Sequence, residues 1–377
     1  MSAASARHTA LLLSDGTAVA FGQNTYGECD IPAPAEGLAY VQVAVGWNHT
    51  ALLLSDGSAV AVGRNDFGEC DLPAPAEGVT YIQVAAGADH TALLRSDGIA
   101  VAFGRNNFGQ CDIPAPAEGL TYGQVAAGAT HTALLLSDGT AVAFGQNTFG
   151  QCKIPAPAEG LIYEQVAAGA GHTVLLLSNG TALAFGYNGC KQCEIPPLAK
   201  GLTYVQVAAG LSSTALLLSD GTAVAFGRNN FGQCDLAALT EGVTYVHVAV
   251  GWEHTALLRS DGTGVAFGRN GSGECDLPSP GVGLSYEAHL LPTLLLQASL
   301  DGDSVCFKML SGRVIYRIRA SPEARLASIR EQLKVARRLG GPSAGLGRVD
   351  AVLPGGSLLS GASAEETVAS AFWTGPR

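Results

Sequence analysis

The chain has 377 residues, a mass of 38.4 kDa and a formal net charge of −11. It is 47% hydrophobic, only 14% charged, and holds 49 glycines. Helix-rich proteins carry far more Glu, Lys and Arg, so this balance points to strands and turns. The longest apolar runs, such as 51–54 and 294–296, are too short to span a bilayer. Residues 1–20 lack a basic region followed by a long apolar one, and Asp15 interrupts the stretch. A soluble chain, cytoplasmic or nuclear and with no membrane partner, is the expectation.

Self-similarity at a constant step of 41 residues organises most of the sequence. His8, His49, His90, His131, His172, Ser213 and His254 keep that step, as do seven cysteines from Cys29 to Cys275 and seven tyrosines from Tyr40 to Tyr286. A period near 40 signals a solenoid or a propeller. The chain enters the unit at Ala6-Arg7-His8, without the YxQVAAG segment that opens the other copies. In the copy starting at Tyr81, three short segments follow in order: YIQVAAG, HTALLRSDG and IAVAFG. Asp97-Gly98 between the last two is a hairpin signal, and Ala100-Val101-Ala102-Phe103 has the period-2 pattern of a strand. A fourth short strand is predicted at 111–113, ended by Pro114-Ala115-Pro116. No segment shows a 3.6-residue apolar stripe. The fold class this predicts is all-β: a seven-bladed β-propeller of four-stranded blades over residues 1–291. Residues 284–290 repeat the opening segment, and the prediction pairs them beside 9–13, closing the ring and removing two exposed edges.

The recurring pattern GxxHTxxLxxDGxxxxxGxNxxGQ resembles the repeat of the regulator of chromosome condensation (RCC1) family over about residues 1–290. Phe21, Phe103, Phe144, Phe185, Phe226 and Phe267, with Val62 in one copy, stand where that family often has Trp. The short unit is similar to compact bacterial β-lactamase-inhibitory propellers. The resemblance implies a seven-bladed ring whose loop faces bind other proteins.

Residues copied once per unit suit structure better than catalysis. Each His beside a Thr reads as a buried hydrogen-bonding group, and the in-phase cysteines, on separate blades, cannot converge on one metal. Cys190 and Cys193 form the sole CxxC and read as free thiols or a weak disulfide. Neither a catalytic constellation nor a metal or cofactor site is expected. Function is expected where the copies differ. The two residues before each His vary, and with ring closure Trp47 of the second copy and Trp252 of the seventh flank Arg7 of the first. Trp and Arg dominate binding hot spots, so Arg7, Trp47, Asn48, Asp89, Trp252 and Glu253 form the candidate partner-binding sector. The competing reading is that each Trp covers the central opening. The aromatic after the third strand (Tyr26, Phe67, Phe108, Phe149, Phe231) is read as a wedge between blades.

Charge divides the chain. Residues 1–302 hold 10 Lys+Arg and 26 Asp+Glu, net −16, while 303–377 hold 11 and 6, net +5. An acidic ring does not track phosphate backbones, so direct nucleic-acid binding by it is not expected. Residues 292–303 read as a linker or a decayed copy. Beyond them come a hairpin around Ser311-Gly312, a helix from Ser321-Pro322 with apolar Leu326, Ile329, Leu333 and Ala336, and a strand at 349–353. This order and the LSGR turn resemble a ubiquitin-like α+β domain at 304–377. The overall expectation is a monomeric, non-catalytic scaffold binding a protein partner, with a ubiquitin-related role. A substrate-binding component of a HECT-type ligase and a guanine-nucleotide exchange factor are the alternatives.

Overall fold

The computed structural model describes residues 7–281 and 284–286 in full. It also gives the backbone of the strands at 2–4, 296–301, 304–308, 314–319, 351–352 and 358–359. Two compact units divide the chain, Met1–His289 and Leu290–Arg377.

The first unit is a succession of three-stranded antiparallel sheets, one per copy. The first holds Ser2–Ala4, His8–Leu12 and Ala18–Gly22; the second, Tyr40–Val45, His49–Leu54 and Ala59–Gly63. The third holds Tyr81–Ala86, His90–Arg95 and Ala100–Gly104, and the next three follow at the same step. The seventh holds Tyr245–Val250, His254–Arg259 and Gly264–Gly268. No helix occurs among the described residues of this unit. The architecture is all-β and consistent with a β-propeller.

Period and burial explain each strand. The middle strand, His-Thr-Ala-Leu-Leu, is buried on both faces because a neighbouring sheet covers each. Leu52, Leu93, Leu134, Leu175, Leu216 and Leu257 are its fully buried centres. Each apolar cluster joins two consecutive copies, as where Leu53 packs with Tyr81, Val84 and Leu93. The Asp-Gly turns form as expected, with Gly98 at φ +79°, which glycine adopts freely.

Two expectations change. The predicted fourth strand is absent: residues 111–113 lie outside any sheet. Their backbone groups are engaged locally, Cys111 N–H donating to Asn106 Oδ1 at 2.8 Å and Ile113 N–H to the Cys111 carbonyl at 2.9 Å, so no ladder forms. The strand beside 9–11 also differs from the expected one. Ser2–Ala4 occupies that place, with Ala4 opposite Thr9 and Ser2 opposite Leu11. Tyr286 contributes a single bridge to Leu13, and Ser14 N–H donates to the Ser285 carbonyl at 3.0 Å. The inner strand of the first sheet is therefore drawn from both ends of the unit. Residues 287–290 lie outside the described residues.

In the second unit the sheet order is Val314–Arg319, Ser304–Lys308, Leu296–Asp301, Ala351–Val352, Leu358–Leu359. The predicted hairpin is present, and the stretch read as a linker contains the strand Leu296–Asp301. The predicted helix from Ser321 lies outside the described residues.

Copies are stitched together by a repeated side-chain relay. His49 Nε2 lies 2.9 Å from Thr91 Oγ1 in the next sheet, and Thr91 Oγ1 donates to the Glu69 carbonyl at 2.8 Å. The hydroxyl's one proton goes to a carbonyl, which cannot donate, so the imidazole is the donor and carries its proton on Nε2. The same holds for His8–Thr50, His90–Thr132, His131–Thr173 and His172–Thr214. Between the seventh copy and the first, His254 Nε2 lies 2.7 Å from Thr9 Oγ1, which donates to the Glu274 carbonyl at 2.8 Å. A second stitch joins Gln83 to Val125, Nε2 donating to the carbonyl at 2.8 Å and Oε1 accepting from the amide at 2.7 Å.

One loop departs from its copies. Lys191 stands where the others have glycine and takes φ +69°, a conformation that disfavours a side chain. Lys191→Gly is expected to stabilise the chain by about 0.5–1 kcal/mol, raising the urea midpoint without changing the slope. A lower midpoint would mean the Lys191–Glu194 contact at 4.0 Å outweighs the strain.

Candidate protein-interaction face

The turn before each His and the loop after each third strand lie at one end of the sheet. His49 pairs with Gly63, and Arg64 N–H donates to the Asn48 carbonyl at 2.8 Å. Each copy therefore presents both variable segments on a single face.

At its centre Trp47 and Trp252 meet edge to face, ring centroids 4.2 Å apart. The second and seventh copies therefore approach each other at this point. The Gly and Ala residues behind them line a cavity of about 110 Å³. Gly46, Gly87, Gly128 and Gly169 crowd there because any Cβ would strike the imidazole of their own copy and the next glycine carbonyl. Arg7 is exposed, its guanidinium donating to Gln23 Oε1 at 3.2 Å. Asn48 is half-buried.

Asp89 and Glu253 are not free surface acids. Asp89, 5% exposed, lies between Arg64 Nη1 at 3.6 Å and Arg105 Nη1 at 3.3 Å. Glu253 bridges Arg228 at 3.5 Å and Arg269 at 2.7 Å. Each acid thus ties the arginines of two consecutive copies. Behind them, burial pushes the Glu69 carboxyl up.

The aromatics read as wedges are at the surface instead. Tyr26, Phe67, Phe108, Phe149 and Phe231 are 42–51% exposed. The space between sheets is already filled by the middle-strand leucines and the tyrosines that open each copy. The loops carrying the rings are nonetheless rigid: Asn65 Nδ2 donates to Asp71 Oδ1, Phe67 N–H to Glu69 Oε2 and Cys70 N–H to Asn65 Oδ1, at 2.7–2.9 Å. Sequence reasoning missed Arg64, Arg105, Arg228 and Arg269, although their recurrence just before Asn was a usable signal.

The cysteines are free among the described residues. The thiols at the repeated position donate to a loop carbonyl, as Cys70 Sγ does to Arg64 O at 3.2 Å. Burial, aided by acidic neighbours, pushes Cys70 up to about 12 and burial alone takes Cys152 to about 11, so neither is a nucleophile at neutral pH. No group of three or more His, Cys, Asp or Glu that could hold a metal occurs among the described residues.

Repeated three-stranded antiparallel sheets that share one loop face define a repeat architecture consistent with a β-propeller. A model of the regulator of chromosome condensation (RCC1) repeat matches residues 3–28, 40–69, 81–110, 124–151, 163–192 and 204–233. The chain thus carries six copies matched by the RCC1 repeat. No curated protein matches it in sequence. Among solved structures it is similar to human WBSCR16 (20% identity, TM-score 0.58, 67% of this chain and 84% of that one). It is also similar to the CRINKLY WD40 ectodomain of the Arabidopsis thaliana receptor kinase ACR4 (20%, 0.58, 72% and 94%). Prp20p from Saccharomyces cerevisiae, described with its binding to Gsp1p and histones, matches at 18% identity and TM-score 0.56, over 71% of this chain and 82% of that one. At these identities the likeness concerns the fold.

Proposed function

We propose that this chain is a non-catalytic protein-interaction scaffold. Its seven sheets form a ring closed between the seventh copy and the first, and its loop face, around Arg7, Trp47, Asn48, Asp89, Trp252 and Glu253, grips a protein partner. The observation that carries this reading is the Trp47–Trp252 contact, which sets two large aromatic side chains edge to face at the centre of that face. RCC1-like relatives that bind proteins support it in kind: Prp20p has been solved bound to Kap60.

Affinity capture with the wild-type chain and with Trp47→Ala/Trp252→Ala tests the reading. Recovery of the specific partner is expected to fall by about tenfold or more, as for hot-spot aromatics. Unchanged recovery, with the variant's thermal transition showing that it folds, removes these residues from the interface.

Guanine-nucleotide exchange is the second reading, favoured by the fold shared with Prp20p, whose structure was described with Gsp1p binding. The unbroken 41-residue step argues against it, since it leaves no inserted loop of the kind associated with exchange in the family. A nucleotide-release assay on small GTPases decides.

A further inference from the structure

Three exposed rings lie under the arginine of the following copy, and Phe67 lies under its own copy's Arg64 as well, at 5.5 Å. Arg64 covers Tyr26 at 5.7 Å from the ring centroid, Arg105 covers Phe67 at 5.2 Å and Arg269 covers Phe231 at 5.9 Å. These are cation–π distances. The arrangement is missing at the third and fourth copies. Phe108 would take its cover from position 146, which is Gln, and that amide oxygen instead accepts from Thr130 Oγ1 at 2.6 Å. Phe149 would take its cover from position 187, which is Tyr, and the two rings tilt against each other at 4.9 Å. The acid that ties neighbouring arginines is missing there too, replaced by Thr130 and Gly171.

We infer that Phe108, with the Phe149–Tyr187 pair beside it, receives arginine side chains from a cationic segment of a partner protein. The other rings supply the template, since in three other copies the same loop position stacks a guanidinium. Charge agrees: residues 1–302 carry net −16, which draws a cationic segment in. Phe108 is the better-placed ring, because its loop keeps Asp112, held by Asn106 Nδ2 at 2.7 Å. At Phe149 the corresponding residue is Lys153, and Lys191 stands in the following loop within 4.0 Å of Glu194. The rings are held ready: Phe108 N–H donates to Gln110 Oε1 at 3.0 Å, and Phe149 N–H to Gln151 Oε1 at 2.9 Å. Arginine suits the site better than lysine, because its planar guanidinium stacks as well as attracts.

This inference rests on the scaffold reading but uses a different sector of the face, so the two can fail separately. The test titrates the full chain with a fluorescein-labelled (Gly-Arg)4 peptide at physiological salt, with (Gly-Glu)4 as control, reading anisotropy. Binding of the arginine peptide alone is expected. It should weaken by about tenfold in Phe108→Ala/Phe149→Ala. Gln146→Arg should weaken it several-fold, because it supplies the missing cover from within, and four other copies fold with Arg at this position. Wild-type affinity in both variants would reduce the attraction to bulk charge and overturn the inference. So would absence of binding by the arginine peptide, or equal binding of the glutamate peptide. Loss of the captured partner in Trp47→Ala/Trp252→Ala with peptide binding intact supports both readings; unchanged capture with peptide binding still dependent on Phe108 removes the tryptophan sector alone.

Discussion

Acidification from pH 7 is expected to unfold the repeat unit cooperatively, with a midpoint between about pH 5 and 6. Burial drives the effect. His8, His90 and His172 are held down to about 3, and His49, His131 and His254 to about 4, against an ordinary value of 6.5. Burial is the first cause in each, and neighbouring imidazoles add to it at His8, His90 and His172. The relay fixes the proton on Nε2, and Nδ1 of His49, His90, His131, His172 and His254 has no hydrogen-bond partner in the protein. A second proton would thus put a charge in the interior with nothing to receive it. The sign follows from linkage. The folded values lie below the unfolded one, so the unfolded chain binds more protons below pH 6.5. The stability is present above that pH and is lost as pH falls toward the folded values. Each imidazole costs about 1.4 kcal/mol per pH unit in this window, and six acting together about 8 kcal/mol. A domain stability of about 5–15 kcal/mol is exhausted within about two units. Carboxylates lowered by turn hydrogen bonds, such as Asp15 and Asp56, act only at lower pH. Far-ultraviolet circular dichroism against pH, with potentiometric proton uptake, measures this. Native signal persisting to pH 4 would refute it.

Gly87→Ala should be strongly destabilising. The added carbon would overlap the His90 imidazole and the Gly128 carbonyl oxygen at once. Neither can retreat: His90 is fixed by Thr132 at 2.9 Å, and the Gly128 carbonyl accepts from Ala88 N–H at 3.3 Å. The expected loss is about 3 kcal/mol or more, a fall in Tm of roughly 6 °C or more. Gly119→Ala is the control. There the space is open and only φ +81° opposes a side chain, so about 1 kcal/mol is expected. Equal effects in the two variants would mean that the axial crowding contributes nothing beyond backbone strain.

The composite first sheet shows how much could be read in advance. Ser2-Ala3-Ala4 stands 41 residues before Val43-Ala44-Val45 and keeps the register of that strand. The signal was present but weak, because serine and alanine carry little strand propensity. The missing fourth strand was hidden for a different reason. Strand propensity at 111–113 says nothing of Asn106, five residues before Cys111, whose side chain takes up the Cys111 N–H.

Local chemistry repeated at one spacing therefore determined three strands of each copy, the Asp-Gly turns and the buried His and Thr, since each follows from period and polarity along the chain. Tertiary structure alone decided which way the loop aromatics face and which acids are neutralised. Both depend on what the neighbouring copy offers: leucines and tyrosines that leave no room for a wedge, and an arginine 25 residues before Asp89 whose guanidinium comes within 3.6 Å of that acid only when consecutive sheets stack.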